Sequence, residues 1–162
     1  MEVRVESIQT MAERGICQIV QLPKGKSAVP TLASETLDFY GKLAKIKPED
    51  VLSLGFCVFR KRPLVVKELE RHLDAQELLY AVDDDFLIMG ALNNPENNEP
   101  NPKSFSVALV PRSAGIIFHA GVWHGVPFPM KEESFALVGF GESTVEKDMN
   151  FYEFDEPISI IL

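Results

Sequence analysis

From Val51 to Leu162 the chain is a series of short apolar stretches cut apart by turn chemistry, and this limits the fold more than any other feature. Val51–Arg60, Leu64–Leu73, Leu78–Val82, Phe86–Leu92, Phe105–Val110, Gly115–His119, Ser134–Phe140 and Pro157–Leu162 each have the length and composition of a strand. Asp83-Asp84-Asp85 supplies a tight turn between two of them. Ile16–Leu22 reads as an earlier strand, ended by Pro23-Lys24-Gly25. No internal repeat or heptad pattern is present. Many short strands at close spacing predict an all-β barrel or jelly roll.

One stretch reads as a helix, Ala33 to Lys45. Ser34 is placed to cap it, Leu37, Tyr40 and Leu43-Ala44 recur at helical spacing, and Pro48 closes it. Asn93–Lys103 is the opposite, rich in Asn, Pro and Glu with no large apolar residue, and is expected to be a solvated, mobile loop. The whole chain, 1–162, is read as one domain: a barrel over 51–162 and an N-terminal extension over 1–50 packed on it.

The 162 residues are 46% hydrophobic and 25% charged, enough apolar material for a real core. Net charge is −8, which repels phosphate backbones and argues against nucleic acid as a partner. The sequence also lacks a DNA-reading helix pair. No apolar run approaches the roughly 20 residues of a membrane helix, and the alternating charges of Glu2, Arg4 and Glu6 do not fit a signal peptide. Cys17 and Cys57 each lie in an apolar strand, which predicts two buried free thiols and a cytoplasmic protein.

Two stretches carry the chemistry. In Leu64–His72, strand alternation places Glu68, Glu70 and His72 on one face, and the opposite face (Lys67, Leu69, Arg71, Leu73) is not cleanly apolar. The run ends on one of only three histidines. In Gly115–His124 an apolar strand enters a turn at Gly121, and His119 and His124 bracket that turn. Histidine can carry a proton near neutral pH or ligate a metal.

The two stretches resemble the paired motifs of the cupin superfamily. Glu70 and His72 stand at the paired ligand positions of the first motif, with Gln76 or Glu77 at the next one. Gly121 and His124 match the Gly-x-x-His of the second, with His119 in place of its Pro and Phe128 in place of its Asn. More closely, Glu68-Leu69-Glu70-Arg71-His72 and Val122-Trp123-His124, followed by Pro127-Phe128, resemble the ureidoglycolate lyase (formerly hydrolase) family. The similarity runs from about Val51 to Phe140, and is looser around Phe39-Tyr40-Gly41. Lys67 and Gly125 stand where the family commonly has His, and the spacing from His72 to Gln76 is one residue short.

The resemblance implies a cupin-type jelly-roll barrel, with one short helix in its N-terminal extension, in a homodimeric enzyme of allantoin catabolism. That enzyme is a carbon–nitrogen lyase of the amidine-lyase type, which splits ureidoglycolate into glyoxylate and urea. Lysis takes a proton from the substrate hydroxyl and gives one to the departing urea nitrogen. Glu70 and His124 are the expected proton-transfer groups, with His72 positioning or ligating. Glu70, His72, Gln76 and His124 are the expected ligands if one divalent metal (Ni, Mn, Fe or Zn) takes part. Glu68, Lys67, Arg60, Trp123 and His119 are the candidates for contacting substrate, with Arg112 a further unplaced cation. Two other readings stay open: a cupin enzyme acting on another small hydroxy, keto or sugar acid, and a non-catalytic cupin that binds a small ligand. The apolar tail Pro157–Leu162 is expected to pack on its own barrel or on an edge strand of a second chain.

Overall fold

The computed structural model describes residues 1–23, 28–48 and 50–162. Lys24 and Gly25, expected to end the first strand, fall outside that set. The chain starts with β1 (Glu2–Ser7), the short helix α1 (Ile8–Glu13) and β2 (Cys17–Gln21), then a small hairpin of β3 (Leu32–Ala33) and β4 (Asp38–Phe39). Next come β5 (Leu52–Arg60), β6 (Val65–Arg71), β7 (Glu77–Ala81) and β8 (Phe86–Ala91). A second hairpin, β9 (Asn93–Asn94) and β10 (Glu99–Pro100), precedes β11 (Ser106–Val110) and β12 (Ala114–Phe118). The chain closes with β13 (Trp123–His124), β14 (Phe128–Pro129), β15 (Glu133–Gly141), helix α2 (Thr144–Lys147) and β16 (Asn150–Ile161).

Six strands form a closed ring in the order β8, β11, β1, β16, β6, β13 and back to β8. Every strand of the ring sends apolar side chains inward, among them Val5, Leu69, Met89, Val107, Trp123 and Ile158. Each such fully buried aliphatic contributes about 1.5–3 kcal/mol of transfer free energy. A second sheet, ordered β2, β12, β7, β15, β5, lies against the outer face of β8 and β11. Met11 and Ile16 fill the space between ring and sheet together with Leu79, Phe86, Ile88, Ile116 and Phe118. The all-β, cupin-type expectation holds.

Two local expectations do not. The helix expected over Ala33–Lys45 is absent. Ser34 instead closes the turn of the β3–β4 hairpin, where its N–H donates to the Leu37 carbonyl (2.8 Å) and its Oγ accepts from Thr36 N (3.3 Å). Leu37, Phe39 and Leu43 stay exposed, so a helix here would have had no described surface on which to bury its apolar stripe. Among the described residues the N-terminal region has one short helix, α1, capped by Ser7 Oγ accepting from Thr10 N at 3.1 Å. The Asn93–Lys103 segment is solvated at Pro95–Asn98 as expected, but it folds as the β9–β10 hairpin followed by a 3-10 turn instead of an irregular loop. Asn94 Oδ1 accepts from Glu96 N and Asn97 Oδ1 from Glu99 N, so the asparagines make turns, and Pro100 is buried. The tail is part of the ring, with β16 paired to β1 on one side and β6 on the other.

Candidate active site

His72 lies just past the end of β6, and Glu70 lies on β6 opposite His124 of β13. Strand alternation brings Glu70 and His72 to the side His124 approaches, as expected. That side is not the ring interior but the space between the ring and the second sheet. Lys67 and Glu68 are both exposed, because the β6–β16 register shifts beside them and interrupts the alternation.

The third member of the cluster is Glu77, the first residue of β7. Its Oε2 lies 3.0 Å from Nε2 of His72 and 3.0 Å from Nε2 of His124. Gln76 points elsewhere and accepts from Lys47 N at 2.8 Å. The reason is strand parity. On β7, residues 77, 79 and 81 face the core, which turns Gln76 away. In the sequence both parities of Glu77–Ala81 carry apolar residues, so neither strand pattern nor motif spacing decides between 76 and 77.

The backbone fixes both rings. His72 Nδ1 lies 2.9 Å from the Asp148 carbonyl, and His124 Nδ1 lies 3.1 Å from the Val122 carbonyl. A carbonyl only accepts, so each Nδ1 carries its hydrogen and each ring turns Nε2 toward Glu77. Phe118 stacks on His124 at 4.5 Å and 14°. Gly90, opposite His124 on β8, leaves room for that stack, since a Cβ there would lie 3.2 Å from Phe118 Cε1 and 2.7 Å from Ile16 Cγ2. Gly121 turns the chain at φ +79° and donates to the His72 carbonyl at 2.6 Å, which ties the two motifs together.

Asp148 holds the far side. Its buried carboxylate accepts from the backbone N–H of Leu73 (2.7 Å), Asp74 (2.9 Å) and Ala75 (3.2 Å), the turn that joins His72 to Glu77. Nothing in the sequence around Asp148 marks it, because its partners lie more than 70 residues away.

Burial alone would push the Glu77 carboxyl up, but the hydrogen bonds and charge of His124 and His72 outweigh it and hold its pKa at about 2. Burial also works against a charged His72, and the bonds to Glu77 and the Asp148 carbonyl overcome it, so the His72 pKa is raised. Glu70 stands apart, 3.9 Å from His124 Nε2, and burial raises its pKa against the pull of His124. Cys17 is buried and its thiol is pushed up to about 12 by that burial, an inert core residue as expected.

With Nδ1 protonated, a neutral ring turns a bare lone pair from Nε2 toward a carboxylate. Relief comes from a proton on each Nε2 or from a cation seated among the three donors. His72, Glu77 and His124 offer atoms all within 4.8 Å of one another, and this two-imidazole, one-carboxylate set fits a divalent metal. Nδ1–H donation to a backbone carbonyl is the usual outer support of a ligating histidine.

The ureidoglycolate lyase family profile matches residues 28–161, a span that holds every residue of this cluster. The chain belongs to the ureidoglycolate lyase family. Ureidoglycolate lyases of Pseudomonas paraeruginosa and Pseudomonas aeruginosa are 29% identical to it over 126 residues, covering 74% of this chain and 73% of theirs. Among solved structures, a dTDP sugar isomerase from Desulfovibrio desulfuricans G20 aligns over 86% of this chain and 85% of its own. Its TM-score is 0.46 at 13% identity, and at that level the likeness carries no functional weight.

For this family member the remaining candidates divide. Glu68 and Lys67 line the space next to Glu70 and His124. Arg60 forms a surface ion pair with Glu133 (2.9 Å). Trp123 faces the ring interior under the Arg71 guanidinium and donates Nε1–H to Asn93 Oδ1. His119 stays half-buried in the β12–β13 turn, outside the cluster, and Arg112 is exposed beside Asp85. No described helix is long and apolar enough to cross a membrane.

Proposed function

We propose that this chain cleaves ureidoglycolate to glyoxylate and urea. The observation that carries the reading is the buried His72–Glu77–His124 cluster with the Glu70 carboxyl 3.9 Å from its edge. Family membership and the Pseudomonas relatives support it. Ureidoglycolate has one carbon bearing a hydroxyl, a carboxylate and a ureido nitrogen. Glu70, a stronger base for its burial, takes the hydroxyl proton. The oxygen electrons form the aldehyde of glyoxylate, the C–N bond breaks, and its pair stays on the urea nitrogen. A proton from Glu70, or from His124 Nε2 when that nitrogen is protonated, completes urea. His72, Glu77 and His124 would hold a Ni, Mn, Fe or Zn ion, which when bound supplies Lewis acidity toward the substrate oxygens. His72 then serves to position, through its bond to the Asp148 carbonyl.

The chain acts, in this reading, as a single domain and as a homodimer in the cytoplasm, where free Cys17 and Cys57 are stable. Elemental analysis of the purified protein, then urea release from ureidoglycolate with and without each metal, tests the proposal. Turnover supports it. Absence of urea in every metal condition overturns it, and a panel of other small hydroxy and keto acids then identifies the substrate.

A further inference from the structure

The crevice at the catalytic cluster, between Glu70, His124 and Phe151, has a free volume of about 20 Å³. That is about the room one water needs, so a substrate of nine heavy atoms cannot lie there whole. Glu68, Gly125 and Val126 also wall a neighbouring cavity of about 320 Å³. The cavity has apolar walls at Val65, Val66 and Phe128 and two cations, Arg62 and Lys67. Arg62 is half-buried and its guanidinium lies 3.8 Å over the Phe128 ring. It donates to the carbonyls of Pro127 (2.9 Å) and Val126 (2.8 Å), and among the described ion pairs it has no carboxylate. Five N–H groups on a guanidinium exceed those two good acceptors. Among the described residues its charge is met only by carbonyl dipoles and the Phe128 ring. Lys67 likewise forms no described ion pair. Glu68, Gly125 and Val126 line both spaces, so the crevice and the cavity lie side by side.

We propose that this cavity is the carboxylate subsite, in which Arg62 and Lys67 bind the acid group of a small α-hydroxy acid whose reactive carbon reaches Glu70 and His124. The proposal rests on the lyase reading of the cluster. Glu68, at the junction, accepts hydrogen bonds from the ureido N–H groups. The same cations would take the carboxylate of any small hydroxy acid of this length, so the cavity selects for the charge and the cluster for the chemistry.

N-carbamoylglycine, which lacks the hydroxyl and cannot be lysed, and its uncharged amide separate the two functions. Calorimetric titration of both into the parent protein, Lys67→Met, Arg62→Gln and Arg62→Lys, with melting curves alongside, reads the charge preference. The parent is expected to bind the acid at least about tenfold more tightly than the amide. Lys67→Met, a change at an exposed side chain, should remove most of that preference, as should Arg62→Gln, while Arg62→Lys keeps part of it. On ureidoglycolate both charge-removing variants should raise KM about tenfold with kcat little changed. Equal affinity for acid and amide in the parent overturns the proposal. So does unchanged KM in both variants, and this second result leaves the lyase reading intact. An acid preference that the variants lose, in a protein that releases no urea, keeps the carboxylate subsite and overturns the lyase reading.

Discussion

His124 is held on three sides, by Phe118 against its face, the Val122 carbonyl at Nδ1 and Glu77 at Nε2, and Glu70 approaches from the fourth. If Glu70 and His124 act as one unit, replacing either with Ala should lower turnover by about 10²–10⁴, and replacing both should cost little more. A cycle on turnover with thermal melts checks this. A folded Glu70→Ala protein with near-full activity would remove Glu70 from the mechanism. The pair 76 and 77 gives a sharper contrast. Gln76→Ala should leave turnover within about twofold, while Glu77→Gln should lose about 100-fold and weaken metal retention on dialysis. Equal effects would contradict the placement of Glu77. Glu70, His72 and His124 were legible in the sequence because a strand of alternating faces and a glycine turn are local patterns. Glu77 was legible only as one of two residues at its motif position, since Leu78 and Leu79 put apolar residues on both parities of its strand, and Asp148 not at all, since it acts on the His72–Glu77 turn from more than 70 residues away.

At the scale of elements, the Asp83 turn between β7 and β8 is tied to the start of β15. The Asp83 carboxylate takes hydrogen bonds from Ser134 Oγ (2.6 Å) and Phe135 N (3.0 Å) and pairs with Lys131 (2.8 Å). Burial works to raise its pKa, and these partners together outweigh it and hold the carboxyl below the usual carboxylate range. A group depressed on folding stabilises above its unfolded value, about 3.9, and loses that contribution as pH falls toward the folded one. The melting-temperature gap between the parent and Asp83→Asn should therefore be widest near neutral pH and narrow below about pH 4. A gap independent of pH would contradict the assignment. On β8, Gly90→Ala drives a methyl against Ile16 and Phe118. It should cost about 1–3 kcal/mol and reduce turnover through His124, to be read by denaturation and assay; a neutral result would show that Phe118 gives way freely. Strands were the legible elements, because period-two alternation survives in the sequence wherever one face is buried. The false helix over Ala33–Lys45 shows the limit: spacing and a cap describe a helix, but only a receiving surface makes one pay off.

For the whole molecule, the ring and the second sheet account for the barrel that the strand pattern predicts, while the pairing order that closes the ring was not written in any local stretch. The C-terminal tail is engaged within its own ring, so the face open to a second copy lies elsewhere. On β5 the residues Leu54 (60% exposed), Phe56 (65%) and Val58 (48%) form an apolar stripe on an edge strand, the kind of surface that association covers. Light scattering at micromolar concentration should give a dimer for the parent and a monomer for Leu54→Lys with Phe56→Lys, with turnover kept. A dimer that survives both substitutions would move the interface off β5.

The ring is completed by β16, which lies parallel to β1 and antiparallel to β6. Up to residue 149, a chain emerging from the ribosome holds five of the six ring strands, with both β1 and β6 offering unpaired backbone to whatever is nearby. Asp148, which sets the turn between His72 and Glu77, emerges only just before that last strand. Ring closure and assembly of the His72–Glu77–His124 cluster therefore both wait for residues 148–161, and until these emerge a chaperone acting on this protein meets an open edge between the first strand and the sixth.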